Sequence, residues 1–290
     1  MLLDFWQEIL VFLGGLWAGT INTVVGSGTL VTFPILVALG VAPVNAVVSN
    51  AMGLVAGGFS GAWGYRREAA TVKRTLLKLV PLSIIGGLIG SLLLLNLPES
   101  VFGVVAPVLL AAALVLVIFQ PKLAAWAKTR QAARGGTDPD AADQARIPAI
   151  LYVLVFLIGV YGGYFTAAQG VLLMAVFGVF LQASLQQSNA IKVILSLLVN
   201  IIAACMYLII APERIQWIVV LLIAVGSLIG GFIGAKIGRK LSPLWLRAVI
   251  VVLGLIALAN MLLKLVNGGC AALRPPGDRD PRPARGPAPG

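Results

Sequence analysis

Asn22, Gly26, Ser27, Gly28 and Thr29, followed by Pro34, lie in a stretch from residue 9 to residue 65 that carries no charge. A helix interrupted at Gly26-Ser27-Gly28 would free backbone amides and carbonyls. The amides opening the next helical segment would form the positive end of a dipole suited to an anion. Gly163, Thr166, Gln169 and Gly170, preceded by Tyr161 and Gly162, make a second such group, with Thr166 at the register of Asn22. Hydroxyl and amide groups can replace part of an anion's water shell without a fixed charge. A third group is Asn45, Ser49 and Asn50 in one segment, with Ser188, Asn189 and Lys192 in its counterpart. Lys192 stands alone between charge-free runs 147–191 and 193–212. An ammonium inside a membrane span costs about 2.5–3.5 kcal/mol on insertion scales, so it faces a cavity or a partner, or else snorkels to an interface. No carboxylate lies nearby in sequence, and a bound anion would serve as its partner. For Gly15, Gly19 and Gly26 the competing reading is close helix packing of the small-xxx-small kind; for the hydroxyls and amides it is interhelical hydrogen bonding.

The missing residues narrow the chemistry further. Histidine is absent, which removes the commonest general base and metal ligand. The two cysteines, Cys205 and Cys270, make neither a disulfide framework nor a zinc site. No Asp or Glu falls inside an apolar segment, which speaks against carboxylate proton relays and against carboxylate-rich cation sites. Gly26-Ser27-Gly28 could belong to an intramembrane serine protease only in a Ser-Lys variant. An enzyme is therefore not expected, nor any cofactor or metal.

The elements that must position these groups are membrane helices. Of 290 residues, 60% are hydrophobic and 11% charged, and the mean hydropathy is +1.02. A soluble domain carries about a quarter charged residues. The net charge of +11 belongs to loops rather than to a nucleic-acid groove, which needs a solvated basic face. Asp4 and Glu8 precede the first apolar run where a signal peptide would carry Lys or Arg, so that segment is expected to stay.

Apolar length and breakers place segments near 5–25, 28–39, 44–64, 76–96, 101–119, 148–167, 170–182, 187–210, 214–235 and 243–265. Segments 28–39 and 170–182 rise only about 18–20 Å as helices, short of the ~30 Å hydrocarbon core. Each is expected to form a broken or re-entrant unit with the segment before it, breaking at Gly26-Ser27-Gly28 and near Ala168-Gln169-Gly170. Residues 144 apart repeat: Ser83 to Gly90 matches Ser227 to Gly234 at six of eight positions, and Gly15, Gly19, Gly26 and Asn45-Ala46 align with Gly159, Gly163, Gly170 and Asn189-Ala190. Such duplication marks transporter folds whose site lies at the repeat interface. The expected organisation is an all-α polytopic membrane protein with a first repeat at 1–119, a cytoplasmic linker at 120–147, a second repeat at 148–265 and a disordered tail at 266–290.

Orientation follows from Lys and Arg, which concentrate in cytoplasmic loops. Arg66, Arg67, Lys73, Arg74 and Lys78 crowd the first long loop of half one, whereas Lys236, Arg239, Lys240 and Arg247 crowd the second of half two. The halves are expected to be inverted. A net +3 from Lys264 onward opposes this, and a parallel arrangement of eight spans would put that tail in the cytoplasm.

The run Ala18-Gly19-Thr20-Ile21-Asn22-Thr23-Val24-Val25-Gly26-Ser27-Gly28-Thr29-Leu30, with Phe33-Pro34, Ser49-Asn50-Ala51 and Gly61-Ala62-Trp63-Gly64-Tyr65-Arg66-Arg67, resembles the TauE/SafE sulfite exporter family. Tyr161-Gly162-Gly163 and Asn189-Ala190-Ile191-Lys192 resemble its second half, while Thr166-Ala167-Ala168-Gln169-Gly170 departs from the glycine-rich pattern common there. The resemblance spans residues 5–265. It implies a permease of the bacterial inner membrane that moves sulfite, organosulfonates or related anions outward, with a proton gradient as driving force. Any proton would move with the substrate or on Lys192. The residues alone support a secondary transporter with a small anion held between the repeats. A membrane assembly or interaction protein, or a passive anion channel, are the alternatives. Lipid and a small anion are the expected partners, nucleic acid is not, and the oligomeric state stays open.

Overall fold

Apolar length sets the architecture of the chain, and glycine sets how closely its helices approach. In a computed structural model, which describes residues 4–133, 147–237 and 243–272, all regular structure among the described residues is helical. The helices are α1 (Phe5–Val24), α2 (Thr29–Ala38), α3 (Pro43–Gly64), the short α4 (Arg66–Ala70), α5 (Lys73–Asn96) and α6 (Glu99–Ala133). The second half holds α7 (Ala149–Tyr164), α8 (Gln169–Phe180), α9 (Leu185–Ile210), α10 (Trp217–Ile237) and α11 (Pro243–Ala272), with a 3-10 turn at Pro212–Arg214. Among the described residues, four stretches are long and apolar enough to cross a membrane: Lys73–Asn96, Ser100–Lys122, Leu185–Ile210 and Trp217–Lys236. α1 and α3 have the length, at 20 and 22 residues, but their inner faces mix Gly, Ser, Thr and Asn with Val, Ala, Ile and Leu. The outer faces meet lipid, with Trp17, Leu77, Val108, Leu157, Leu221 and Phe232 exposed, as the polar-free surface of a multi-pass membrane protein requires.

Local sequence explains the ends. Pro43 opens α3, where its missing N–H costs nothing. Ser184 and Gln187 form a reciprocal capping box at the start of α9, with the Gln187 N–H donating to Ser184 Oγ at 3.2 Å and the Ser184 N–H donating to Gln187 Oε1 at 2.9 Å. Gln187 Nε2 also donates to Thr71 Oγ1 at 3.0 Å, tying α9 to the turn before α5. α6 runs on past Pro121 to Ala133 through Lys122, Lys128 and Arg130, residues placed in the linker by their charge alone. Ala, Lys, Gln and Arg are strong helix formers, so charge ends the apolar run without ending the helix. Likewise α11 continues to Ala272. The remaining linker (134–146), Arg239 and Lys240, and the tail from 273 lie outside the described residues.

The two halves are interleaved, because the first helix of each packs on the fourth long helix of the other: α1 on α10, and α7 on α5. α3 also lies on α10, α9 on α5, α2 on α11 and α8 on α6, and α3 meets α9. Small residues make these crossings tight. A Cβ on Gly19 would sit 2.6 Å from Ser227 Cα, and one on Gly163 would sit 3.0 Å from Gly87 Cα. A Cβ on Gly15 would lie 2.9 Å from Ile223 Cα, and one on Gly159 3.0 Å from the Ser83 carbonyl oxygen. Gly15 and Gly159 are 144 apart, as are Gly19 and Gly163, yet their partners Ile223 and Ser83, and Ser227 and Gly87, are 140 apart. The packing register of α5 and α10 thus differs from their sequence register by four residues. That is about one helical turn, which keeps the same face inward.

These glycines therefore carry stability. Gly19→Ala forces a methyl into backbone and is expected to cost about 1–3 kcal/mol, read as a lowered thermal midpoint of the purified protein in detergent. An unchanged midpoint would mean that the α1–α10 contact is not this close.

Candidate functional site

The end of α1 and the start of α2 build one side of the site. Gly26 has φ +88°, a left-handed conformation that glycine adopts without strain, and its N–H bonds back to the Ile21 carbonyl at 3.0 Å. The chain therefore leaves the helix with its last carbonyls released, as any helix terminus must. Four carbonyls here have donors from elsewhere in the fold. Lys192 Nζ donates to Asn22 O at 3.4 Å and to Thr23 O at 3.3 Å. Gln120 Nε2, from α6, donates to Val25 O at 3.3 Å. The Gly26 carbonyl accepts from the Gly170 N–H at 3.1 Å.

Gly170 is the residue 144 positions from Gly26, so the two turns meet at equivalent points of the two halves. A Cβ on Gly26 would lie 2.7 Å from Gly170 Cα and 3.1 Å from Lys192 Cδ. The second turn is built differently. α7 ends at Tyr164 and α8 begins at Gln169, and the left-handed residues between them are Thr166 (φ 65°) and Ala168 (φ 59°). Neither is glycine, and a β-branched residue at positive φ is strained. Phe165, inside this turn, stacks edge-on against Phe33 of α2 at 5.3 Å and lies 6.2 Å from Phe102 of α6. That aromatic wedge joins the halves beside the glycine contact.

Lys192 is 1% exposed. It does not snorkel; it ends on the negative pole of α1, where a cation is favoured. Its partner is main chain, which is why no neighbouring carboxylate announces it in the sequence. Lys carries three N–H donors, and α1 engages two of them.

The other residues singled out from sequence divide into three sets. Asn22, Gly26, Ser27, Gly170 and Lys192 are at or beside the crossing, and Gly28 packs against it, a Cβ there lying 2.9 Å from Asn22 Cβ. Gln169, next to Gly170, is buried with its side chain against Gly162; neither its Oε1 nor its Nε2 has a hydrogen-bond partner within the protein, and Ser27 Oγ has none either. Thr29 and Asn50 form a separate buried knot with Thr32. There Asn50 Nδ2 donates to Thr29 Oγ1 at 3.1 Å, and Thr32 Oγ1 donates to Asn50 Oδ1. The rest have packing or capping roles. Ser49 Oγ accepts from the Gln216 N–H at 3.0 Å, Thr166 Oγ1 donates to the Gly162 carbonyl at 2.9 Å, and Gly163 lies against Gly87. Asn189 Nδ2 donates to Tyr65 Oη at 3.4 Å near the start of α9, and Asn45 is half-buried at the start of α3.

Sequence reasoning missed Ser196 and Asn200. They follow Lys192 at intervals of four on one face of α9, both are buried, and Ser196 Oγ and Asn200 Oδ1 have no partner within the protein. Their spacing from Lys192 was the available signal. Tyr207, farther along that face, donates its hydroxyl to the Gly163 carbonyl at 3.2 Å. Among the described residues no cluster of His, Cys, Asp or Glu could hold a metal. An apposed pair of chain turns, one buried cation and several uncommitted hydroxyl and amide groups can bind an anion.

Known proteins agree on the class. A probable membrane transporter protein of Haemophilus influenzae is 23% identical over 255 residues, covering 87% of this chain and 93% of its own. The probable membrane transporter protein YfcA of Escherichia coli K12 is 24% identical over 255 residues, covering 87% and 88%. A probable membrane transporter protein of Sinorhizobium, ORF9, is 23% identical, covering 87% and 91%. No solved structure matches. All three relatives bear the description of a probable membrane transporter, and residues 11–261 match the family model described as sulfite exporter TauE/SafE. That match takes in both turns, Lys192 and every long helix around them, so the chain belongs to the TauE/SafE sulfite exporter family of membrane transporters.

Proposed function

We propose that this protein is a secondary transporter of the bacterial inner membrane that exports small sulfur-containing anions such as sulfite or organosulfonates, bound between two inverted halves where their short helices turn. The single observation that carries this reading is the meeting of Gly26 and Gly170 beside the buried Lys192 ammonium. A lone cation in apolar surroundings is stable only with a compensating partner. Helix carbonyls supply partial negative charge and an anion supplies the remainder.

Helix directions support the inversion. Gly58 faces Leu197 and Gly61 faces Val193, so α3 runs antiparallel to its counterpart α9. α1 and α3 both run parallel to α10, through Gly15 and Gly53 at Ile223 and Gly19 and Gly57 at Ser227. α2 therefore returns part of the way between α1 and α3, and α8 does the same between α7 and α9. In this topology Arg66 to Lys78, Lys122 to Arg130 and Lys236 all face the cytoplasm, as the distribution of Lys and Arg in membrane proteins requires. Alternating access would come from the interleaved halves rocking about the crossing.

The test is efflux from proteoliposomes holding the full chain, with a panel of sulfite, sulfate, sulfoacetate and simple carboxylates. Saturable sulfite flux is expected. No flux of any anion would favour a membrane interaction protein, and flux linear in concentration would favour a passive channel.

A further inference from the structure

The two turns at the crossing do not share the polar groups around them equally. Lys192, Ser196 and Asn200 lie at i, i+4 and i+8 on α9, spanning about 12 Å along the helix. At one end Lys192 holds the last turn of α1, and farther along the same face Tyr207 holds Gly163 in the last turn of α7. The face therefore runs from the crossing, where the two turns meet, toward the last turn of α7 at Gly163. The positions 144 residues earlier on α3 are Val48, Met52 and Ala56, all apolar. The hydroxyl and amide groups of this face thus have no polar counterpart at the equivalent positions of α3.

The chemistry of that face also constrains the charge of what passes. Lys192 is the sole charged residue between positions 147 and 212, and positions 9–65 hold none, so one positive charge is available. A dianion would keep an uncompensated charge in a low-dielectric interior, which is far more costly than a matched pair. Four of the residues with buried groups that lack a protein partner offer mixed chemistry: Ser27 Oγ and Ser196 Oγ donate or accept, Gln169 brings both halves of an amide, and Asn200 brings an acceptor. Turning the Gln169 amide over still leaves one donor and one acceptor, whereas turning Asn200 over exchanges its acceptor for a donor. A fully deprotonated oxyanion can only accept, and would leave those acceptors unsatisfied.

We propose that the Lys192–Ser196–Asn200 face of α9 receives the substrate beside the crossing, and that it selects a singly charged oxyanion carrying its own O–H, such as hydrogen sulfite, over dianions and over monoanions without a donor. This rests on the transporter reading above and names the charge state of its substrate. The experiment is flux in proteoliposomes of the full chain at one mildly acidic pH, with hydrogen sulfite, methanesulfonate and sulfate compared. Hydrogen sulfite is expected to move fastest, methanesulfonate roughly tenfold more slowly, as one lost hydrogen bond implies, and sulfate at background. Asn200→Leu and Ser196→Ala should each narrow the gap between hydrogen sulfite and methanesulfonate, whereas Met52→Leu, at the register of Ser196 on α3, should leave it unchanged. Sulfate carried as fast as hydrogen sulfite, or an unchanged preference in both α9 variants, would overturn the proposal while leaving a transporter. Absence of flux with every anion would overturn both readings.

Discussion

Lys192→Met is expected to abolish sulfite flux while leaving the protein folded and about as stable as before. The substitution conserves length and removes a buried ammonium, whose desolvation costs several kcal/mol. Against this stands the loss of two hydrogen bonds to Asn22 O and Thr23 O, both long at 3.3–3.4 Å. A hydrogen bond to a charged group contributes about 1.5–3 kcal/mol at good geometry, so the two effects nearly cancel. The expected unfolding free energy lies within about 1 kcal/mol of the parent, in keeping with other replacements of buried charges by apolar residues. Flux should fall roughly a hundredfold, the effect of removing the one charge that compensates an anion. Thermal unfolding in detergent and efflux from liposomes, measured on the same preparation, separate the roles. Normal flux with unchanged pH dependence would show that Lys192 serves only to hold α1, and a collapse of both would make it chiefly structural.

The second large effect is expected at the glycine crossing. Gly26→Ala places a side chain at φ +88° and drives its Cβ to 2.7 Å from Gly170 Cα, where the nearest atoms are backbone. Left-handed strain of about 1–2 kcal/mol adds to overpacking of about 1–3 kcal/mol. Gly170→Ala meets the same backbone from the other side, its Cβ 2.6 Å from Gly26 Cα, at a residue without positive φ. It should therefore be the milder change. The hydrogen bond from Gly170 to Gly26 must lengthen in both, and flux should be lost in both. Gly103→Ala on α6 is the control: nothing lies within 4 Å of its added Cβ, and alanine gains about 1 kcal/mol of helix propensity. Destabilisation ordered Gly26, then Gly170, with Gly103 neutral or stabilised, is the expected series in thermal unfolding. Equal behaviour at all three would remove the close crossing.

Helix positions were legible in the sequence because lipid imposes a simple rule, that a run without charge is inside and a loop with Lys or Arg is not. The ends of α3 and α9 fall where Gly64-Tyr65 and Ile210-Ala211 foretell. The second turn was less legible. Glycine spacing points to Ala168-Gln169-Gly170, whereas α7 ends earlier, at Tyr164, and the left-handed residues are Thr166 and Ala168. Tertiary contacts hold those conformations, and no residue type advertises them. The charged end of α6 reads as a loop because Lys122, Lys128 and Arg130 end the apolar run, yet charged residues of high helix propensity extend a helix. The 140-residue packing register of α5 and α10 is hidden because a shift of one turn preserves every periodicity visible in the sequence.

The candidate site was legible as a set of residue types and illegible as a set of partners. Gly26 and Gly170 share a sequence register, 144 residues apart, and their direct contact pairs these two glycines. Lys192 was conspicuous by isolation, but its partners are carbonyls exposed by a helix end, and main chain has no letter in a sequence. Ser49 and Asn50 adjoin in sequence and part in space, one capping the backbone at Gln216 and the other binding Thr29 and Thr32. Adjacent helical residues differ by about 100° in direction, so neighbouring letters seldom share a task.

The most direct measurement is an experimental structure of the protein with selenite, a sulfite-like oxyanion whose selenium scatters anomalously. A single anomalous peak within hydrogen-bond reach of Lys192 Nζ, beside the Gly26–Gly170 contact and lost in Lys192→Met, is the predicted result. A peak elsewhere in a protein that transports selenite, with Lys192 still closed on α1, would contradict the account.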